Sequence, residues 1–144
     1  MISQHRFKFM TKLNKNYKPS QKEKFMNAKM KEYFRQKLVS WKSDLLKESS
    51  QTLNNLQNEN EAKPDITDRA SEEIDRSFEL RTRDRERKLI NKIDAALQRI
   101  EDGSYGYCDE TGDPISIKRL EARPVATLSL EAQEMHEKAE KRIS

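Results

Sequence analysis

The amino-acid sequence predicts a mainly α protein, built as a long antiparallel coiled-coil hairpin with a small globular end and a C-terminal helix. Only three Gly and four Pro interrupt 144 residues, which favours long helices. The charged share of 38% exceeds the hydrophobic share of 33%, which leaves little apolar material for one round core. Apolar residues recur at spacings of three and four in two long segments, one on each side of Pro64.

The first long helix is predicted from Met26 to about Glu61, a stretch without Gly or Pro. Its apolar stripe consists of Met26, Met30, Phe34, Leu38, Trp41 and Leu45. Pro64 ends the helical pattern and restrains the residue before it, so residues 61–67 are expected to form the turn at the tip of the hairpin. Either Asp65 or Thr67 can cap the helix that follows.

The second long helix is predicted to end near Gly103. Its stripe, which we expect to face the first helix, consists of Ala70, Ile74, Phe78, Leu89, Ile93, Ala96, Leu97 and Ile100. Two helices joined by so short a turn are expected to fold back on each other as an antiparallel pair. Residues 83–88 are all charged, which the packing of two helices does not by itself require.

The last part of the chain, residues 103–144, is predicted to form the small globular end. Gly106, Gly112 and Pro114 indicate tight turns, and short helices are expected over residues 116–122 and 129–143. The expected core consists of Tyr105, Tyr107, Ile115, Ile117, Leu120, Val125, Leu128, Leu130 and Met135.

Positive charge is concentrated at the N-terminus. Residues 1–25 contain seven Lys or Arg and one Glu, a net charge of +6 in a chain whose total is +4. We therefore expect a basic flexible tail over residues 1–25, the hairpin over residues 26–102 and the globular end over residues 103–144. The tail either serves as a disordered solubilising leader or attracts nucleic acid phosphates or an acidic protein surface without sequence preference.

Several classes of protein are disfavoured. The single cysteine, Cys108, cannot form an internal disulfide, and no apolar run reaches the roughly 18 residues of a membrane helix, so a cytoplasmic protein without a membrane segment is expected. The only histidines are His5 and His136, and no Gly-rich phosphate loop is present. Without a base near Cys108, the sequence predicts no enzyme.

Three blocks in order, LRTRDRERKLINKID, DGSYGYC and IKRLEARP, resemble the bacterial DksA family of transcription factors. The segment PDITDRA at the expected tip also matches the family pattern. The resemblance covers roughly residues 30–141. It implies a hairpin that enters the secondary channel of RNA polymerase, places its tip near the catalytic centre and changes the lifetime of promoter complexes, commonly with the alarmone ppGpp.

The resemblance implies that Asp65, Asp68 and Ala70 act at the tip. Residues 59–75 carry a net charge of −5, and a negative tip suits a channel that leads to a metal-containing site. A purely structural role is also open, since Asp65 can cap the helix and Asp68 can interact with its dipole.

The resemblance also assigns polymerase binding to Arg81, Arg85 and Lys88, with Thr82 as a weaker candidate. The three basic residues are spaced by four and three, so they are expected to lie along one helical face. The alternative is a solvated face whose arginines pair with Asp84 and Glu86 at little gain in stability.

A third set resembles the effector pocket of the family, with Leu89, Lys92 and Arg123 as the residues that would bind ppGpp. Lys and Arg suit phosphate as a point charge and a bidentate fork. Gln133 stands where the family pattern leads us to expect another basic residue, which weakens the expectation of ppGpp binding. Alternatively, Arg123 forms an internal ion pair with Glu121 or binds a helix-end carbonyl.

The family's zinc-finger-like end normally carries paired Cys-x-x-Cys knuckles, and a structural zinc site needs four ligands. The matching positions here are Cys108, Thr111, Ser129 and Ala132. We therefore predict a degenerate zinc finger without a metal, held by apolar packing, in which Cys108 is a packed, inert thiol; an exposed, ionised thiol would instead sense oxidants.

The leading interpretation is a monomeric transcription regulator that binds RNA polymerase and no specific DNA sequence, with no intrinsic cofactor. The alternatives are a basic helical nucleic-acid-binding protein, a coiled-coil adaptor and a stimulator of transcript cleavage. Binding to random DNA that falls steeply with salt would favour the first alternative.

Overall fold

The computed structural model describes residues 12–60 and 66–143, except for the side chains of residues 52, 55–60 and 66–68. Its four helices are α1 (Ala28–Asn60), α2 (Ile66–Asp102), α3 (Ile117–Ala122) and α4 (Leu130–Ile143). The mainly α fold is confirmed, and all four helices lie within two residues of their expected bounds. None of the helices in the described ranges is long and apolar enough to cross a membrane.

The chain divides into two compact units. The base unit combines residues 1–38 with residues 94–144, and the distal unit is Val39–Ile93, which contains most of α1 and α2. Thus the long helices contribute one end each to the base unit, and the rest of each helix builds the distal unit.

The core of the base unit is aromatic and aliphatic. Phe34 and Tyr105 are fully buried, with their ring centroids 5.7 Å apart. The Tyr105 hydroxyl donates a hydrogen bond of 2.7 Å to the Pro124 carbonyl oxygen, which satisfies both polar groups in the interior. The other buried apolar residues that the long helices contribute here are Met30, Leu38, Ala96 and Ile100. Both apolar stripes are therefore confirmed in this unit.

The globular end packs around fewer large side chains than expected. Ile115, Leu120 and Val125 are buried as predicted, whereas the prediction was wrong for Tyr107, Leu130 and Met135, which are exposed. The small residues Cys108, Ala126 and Ala132 occupy core positions instead. The physical reason for Met135 is that α4 leaves the core after residue 133, since all its later described residues are exposed.

Part of the predicted basic tail packs against the base unit. Tyr17 makes an edge contact with Tyr33 and donates a hydrogen bond of 2.8 Å to Glu23. Phe25 makes an edge contact with Tyr107, with ring centroids 5.3 Å apart. The adjoining Met26 is buried, so residues 17–26 are attached to the base unit through side-chain contacts. Residues 1–11 of that tail lie outside the described residues.

In the distal unit the prediction of the second stripe was wrong. Ile74 and Phe78 are 71% and 67% exposed, so they do not face α1. A row of partly or fully buried α2 residues has spacings of four and three: Glu72, Arg76, Glu79, Arg83, Glu86, Ile90 and Ile93. Thr82 and Leu89, beside this row, are also partly buried. Ile93 and Ile100 are buried and seven residues apart, and the same heptad spacing leads back to Glu86 and Glu79. Ile74 and Phe78 do not belong to this heptad position and lie outside the packed face.

The packed face of α2 is consequently charged over about four turns. We call Glu72, Arg76, Glu79, Arg83 and Glu86 the charged seam. One carboxylate oxygen each of Glu79 and Glu86 is buried without a hydrogen-bond partner in the described part of the chain. Such atoms oppose folding, since a buried polar atom that loses water and gains no partner costs free energy. The distal unit therefore packs less favourably than an apolar coiled coil.

Candidate functional site on the outer face of the second helix

The three basic residues that the sequence analysis assigned to polymerase binding are all exposed on α2. We call Arg81, Arg85 and Lys88 the basic stripe. Their spacings of four and three place them on one helical face, opposite the charged seam. Among the described residues none of the three forms an ion pair, so the expected alternative, pairing with Asp84 and Glu86, is not seen. The positive charge of the stripe faces solvent.

The same face carries apolar residues on its tip side. We call Ala70, Ile74 and Phe78 the apolar patch; all three are exposed, at spacings that lead directly into Arg81. The patch lines a shallow groove together with Glu73, Ser77 and Arg81. Sequence reasoning missed this surface because residues at i and i+4 have the same spacing whether they face a partner helix or solvent.

The tip residues are only partly placed by the structure. Since α2 begins at Ile66, Thr67 lies inside the first turn and is not the residue that caps the helix. Ala70 is exposed on the first turns of α2. Asp65 lies outside the described residues, and so does the side chain of Asp68, so their roles stay predictions.

The candidate effector residues belong to different units. Leu89 is partly buried and Lys92 is exposed in the distal unit, whereas Arg123 is exposed in the base unit, where its backbone N–H donates to Arg119 at the end of α3. Gln133 on α4 donates a hydrogen bond of 3.3 Å to Glu137. The structure thus supplies exposed cations, and their assembly into one ppGpp site stays a prediction.

The alternative role of Arg123 as an ion-pair partner of Glu121 is not seen. The Glu121 carboxylate accepts a hydrogen bond of 2.9 Å from Lys37, whose ammonium also donates to the Glu121 carbonyl oxygen at 2.9 Å. Burial raises the pKa of Glu121, but hydrogen bonds from Lys37 and Tyr33 outweigh this and lower it below its usual value. The Glu121 carboxylate is therefore paired with Lys37, and Arg123 is exposed at the surface.

The degenerate zinc-finger positions lie around a tight turn. The Cys108 amide donates to Asp113 at 2.8 Å and its carbonyl accepts from Gly112 at 2.9 Å, while Tyr107 and Pro114 form an antiparallel bridge. Cys108 is 3% exposed, and Ser129 and Ala132 are also buried. Thr111 is exposed. The four ligand positions that the family pattern implies hold one thiol, two hydroxyls and a methyl group.

These residues do not fit zinc. A structural zinc site needs four sulfur, nitrogen or carboxylate ligands, and the described part of the chain contains no group of three His, Cys, Asp or Glu that could hold a metal ion. At the four expected positions, only Cys108 provides such a ligand. The Thr111 hydroxyl accepts a hydrogen bond of 3.3 Å from the Asp113 N–H, and the Ser129 hydroxyl accepts one of 3.2 Å from the Ala132 N–H.

The hydrogen bonds around Cys108 change its acidity. The Thr111 hydroxyl, followed by the backbone N–H groups of Ser129, Thr111 and Glu110, lowers the pKa of the thiol to about 6, against an opposing effect of burial. These hydrogen bonds therefore favour the thiolate form of the sulfur. Cys108 is packed as predicted, and these donors favour the ionised form of its sulfur, which the sequence did not indicate because most of the donors are backbone groups.

Comparison with known proteins identifies the family of the chain. Residues 30–100 match the family model for the N-terminal domain of the DnaK suppressor protein DksA, and residues 103–138 match the prokaryotic dksA/traR C4-type zinc finger. The chain is 61% identical over 126 residues to the RNA polymerase-binding transcription factor DksA of Caulobacter vibrioides, covering 88% of this chain and 89% of the relative. It is 41% identical over 128 residues to the protein of the same name in Escherichia coli K12, covering 89% and 85%.

A solved structure supports the same assignment. The transcription factor DksA2 from Pseudomonas aeruginosa superposes with a TM-score of 0.78 at 38% sequence identity, covering 81% of this chain and 90% of that protein. The coiled-coil hairpin predicted from the sequence agrees with this shared fold. The segment matches the C4-type zinc-finger model although this chain contains only one cysteine, Cys108. The chain belongs to the DksA family.

Proposed function

We propose that this protein binds RNA polymerase directly and regulates transcription without acting as an enzyme. The observation that carries the proposal is the basic stripe, exposed on α2 within the segment that matches the DksA N-terminal domain. Relatives that cover most of the chain are named as RNA polymerase-binding transcription factors. A stripe of three unpaired cations suits an acidic surface of the polymerase, where it would accelerate association and fix orientation.

The mechanism we propose uses the hairpin as a probe of the secondary channel. The basic stripe would hold the rim of the polymerase, while Asp65, Asp68 and Ala70 would reach toward the catalytic centre and change the lifetime of promoter open complexes. The protein would act as a monomer in the cytoplasm, without sequence-specific DNA contacts. ppGpp would modulate the effect through Leu89, Lys92 and Arg123, with cationic side chains against its phosphates.

The direct test measures binding to core RNA polymerase at fixed salt for wild type, Arg85→Glu and Arg87→Glu. Arg87 is an exposed cation two residues away on a different helical face, so its reversal changes the net charge equally. We expect Arg85→Glu to weaken binding by about tenfold or more, mainly through slower association, and Arg87→Glu to have a much smaller effect. Equal losses in both variants would mean that only net charge matters, and no wild-type binding would refute the proposal.

The role of the tip is tested separately through promoter complexes. Asp65→Asn combined with Asp68→Asn should leave polymerase binding within about threefold of wild type, since a peripheral contact costs little, yet abolish the effect on open-complex lifetime. Loss of binding together with the lifetime effect would instead assign the tip to attachment. An unchanged lifetime effect in the variant would remove these carboxylates from the mechanism.

A nucleic-acid-binding function is the second candidate, favoured by the +6 charge of residues 1–25. Binding of the purified protein to random duplex DNA should then fall steeply as salt rises, because counterions are released from the phosphates. The polymerase proposal expects DNA binding to be weak and to have no effect on the response of promoter complexes.

A further inference from the structure

The apolar patch is the largest unexplained exposure of hydrophobic side chains in the distal unit as described. Ile74 and Phe78 are 71% and 67% exposed and lie one helical turn apart. Single exposed apolar residues are ordinary, but an aromatic and a branched residue side by side around a groove indicate an interaction surface. Folding does not bury these side chains, since the packed face of the same helix is the charged seam.

We propose that the apolar patch is the hydrophobic anchor of the polymerase interface, contacting an acidic segment of RNA polymerase that presents apolar side chains beside its carboxylates. The inference rests on the proposed function and adds the residues that hold the partner most tightly. Ionic contacts from the basic stripe would set orientation, and Phe78 would supply the buried contact at the centre.

Continuity of the surface argues for this partner. The apolar patch and the basic stripe form one unbroken row along α2, in which Phe78 and Arg81 are three residues apart. Arg81 lines the groove itself, so an occupant of the groove necessarily meets a positive charge at one end. A segment with an apolar side chain and a following carboxylate satisfies both ends. A purely apolar partner would leave the guanidinium desolvated without a counter-charge.

A second apolar face on α1 provides a matched control. Val39 and Leu46 are 44% and 50% exposed and line a groove with Lys42, Ser43, Lys47 and Ser50. This groove also combines apolar and basic side chains, but all its lining residues lie on α1 and none belongs to the basic stripe. If any exposed apolar residue near lysines contributed to binding, substitutions on both faces would have equal effects.

The test compares the affinity for core RNA polymerase of wild type, Ile74→Gln/Phe78→Gln and Val39→Gln/Leu46→Gln. Glutamine keeps helix propensity and adds no charge, and the original side chains are mostly exposed, so far-UV circular dichroism and thermal unfolding should stay close to wild type. We expect the α2 variant to bind at least tenfold more weakly, mainly through faster dissociation, and the α1 variant to bind within about twofold of wild type.

The outcomes separate this inference from the proposed function. If Arg85→Glu weakens binding to the polymerase and the α2 double variant does not, the apolar patch is not the anchor, while the proposed function stays in place. Equal losses in the α1 and α2 variants would also rule out the anchor. Analytical ultracentrifugation at the same concentrations tests whether a second copy of this chain covers the patch. If wild type is a dimer, the α2 double variant is a monomer and both bind the polymerase equally well, the patch is a dimer interface and the proposal is refuted.

Discussion

Glu86→Leu is expected to stabilise the protein, although it removes a charge from a highly charged helix. One Glu86 carboxylate oxygen is buried without a hydrogen-bond partner among the described residues, and an unsatisfied buried polar atom costs about 1–3 kcal/mol. Leucine removes that cost and adds apolar area to the packed face. The expected increase in the free energy of unfolding is therefore about 1–3 kcal/mol. Glu79→Leu should act similarly, and the two gains should add because the sites are about 10 Å apart.

Urea unfolding followed by far-UV circular dichroism measures this change, and a thermal scan should show a rise of about 2–4 °C per kcal/mol for a chain of this size. Amide hydrogen exchange then locates the gain, which should appear in the distal part of α2. Glu73→Leu is the matched control: Glu73 is exposed on the same helix, so its replacement should change stability by less than about 0.5 kcal/mol.

The reasoning would be refuted if Glu86→Leu unfolds at the same or a lower urea concentration than wild type while Glu73→Leu is neutral. That result would mean that water or a partner satisfies the Glu86 oxygen in solution. A gain of equal size in Glu73→Leu would show instead that lowering the negative charge of the helix is responsible.

Three further outcomes are expected. Tyr105→Phe should lower the free energy of unfolding by about 1–3 kcal/mol, because the Pro124 carbonyl loses its buried donor; in chemical denaturation Tyr107→Phe serves as the exposed control. The pKa of Cys108 is lowered from 9.0 to about 6, so wild type should gain stability over Cys108→Ala as pH rises from about 6 to about 9 and lose that advantage below pH 6; a constant difference across this range would contradict the assigned thiolate. Gln133→Lys should increase the effect of ppGpp on promoter-complex lifetime several-fold if α4 contributes to the effector site, and an unchanged response would remove α4 from it.

Much of the fold follows from local sequence signals. The spacing of Met30, Phe34 and Leu38 predicts the buried face of α1 because a helix that packs on one side buries residues three and four apart. Serine before each short helix also predicts its start: the Ser116 and Ser129 hydroxyls each accept a hydrogen bond from the backbone N–H three residues later. These elements depend on interactions within one or two turns, which the sequence displays directly.

The face of α2 in the distal unit depended on information that local spacing does not contain. Ile74 and Phe78 have helical spacing, but the packed face is fixed by the heptad frame that begins at Ile93 and Ile100. Following that frame toward the tip would have placed Glu86 and Glu79 inside. Charged residues are seldom buried, so hydrophobicity alone selects the wrong face here.

The candidate site shows the same division. The spacing of Arg81, Arg85 and Lys88 was enough to predict that they share one helical face. All three side chains are exposed, so their position does not depend on packing against another element. The acidity of Cys108 could not be predicted, since three of its four donors are backbone N–H groups, two in the turn and one at Ser129 directly before α4. The apolar patch became visible only once its side chains were found outside the packed face.

Gly106 makes the turn of the globular end unusually intolerant of sequence change. Its φ of +88° favours glycine, and an added Cβ would lie 2.8 Å from the end of the buried Met26 side chain and 3.2 Å from the Phe25 ring. Gly103 and Gly112 also have positive φ, but an added Cβ would have open space around it at both. In a saturation library selected for folding, we expect asparagine to survive at residues 103 and 112, since it tolerates the left-handed region, and to be depleted at residue 106, where an added Cβ requires the Met26 side chain to shift. Sequence variation at residue 106 is therefore restricted by the N-terminal segment that packs against this turn.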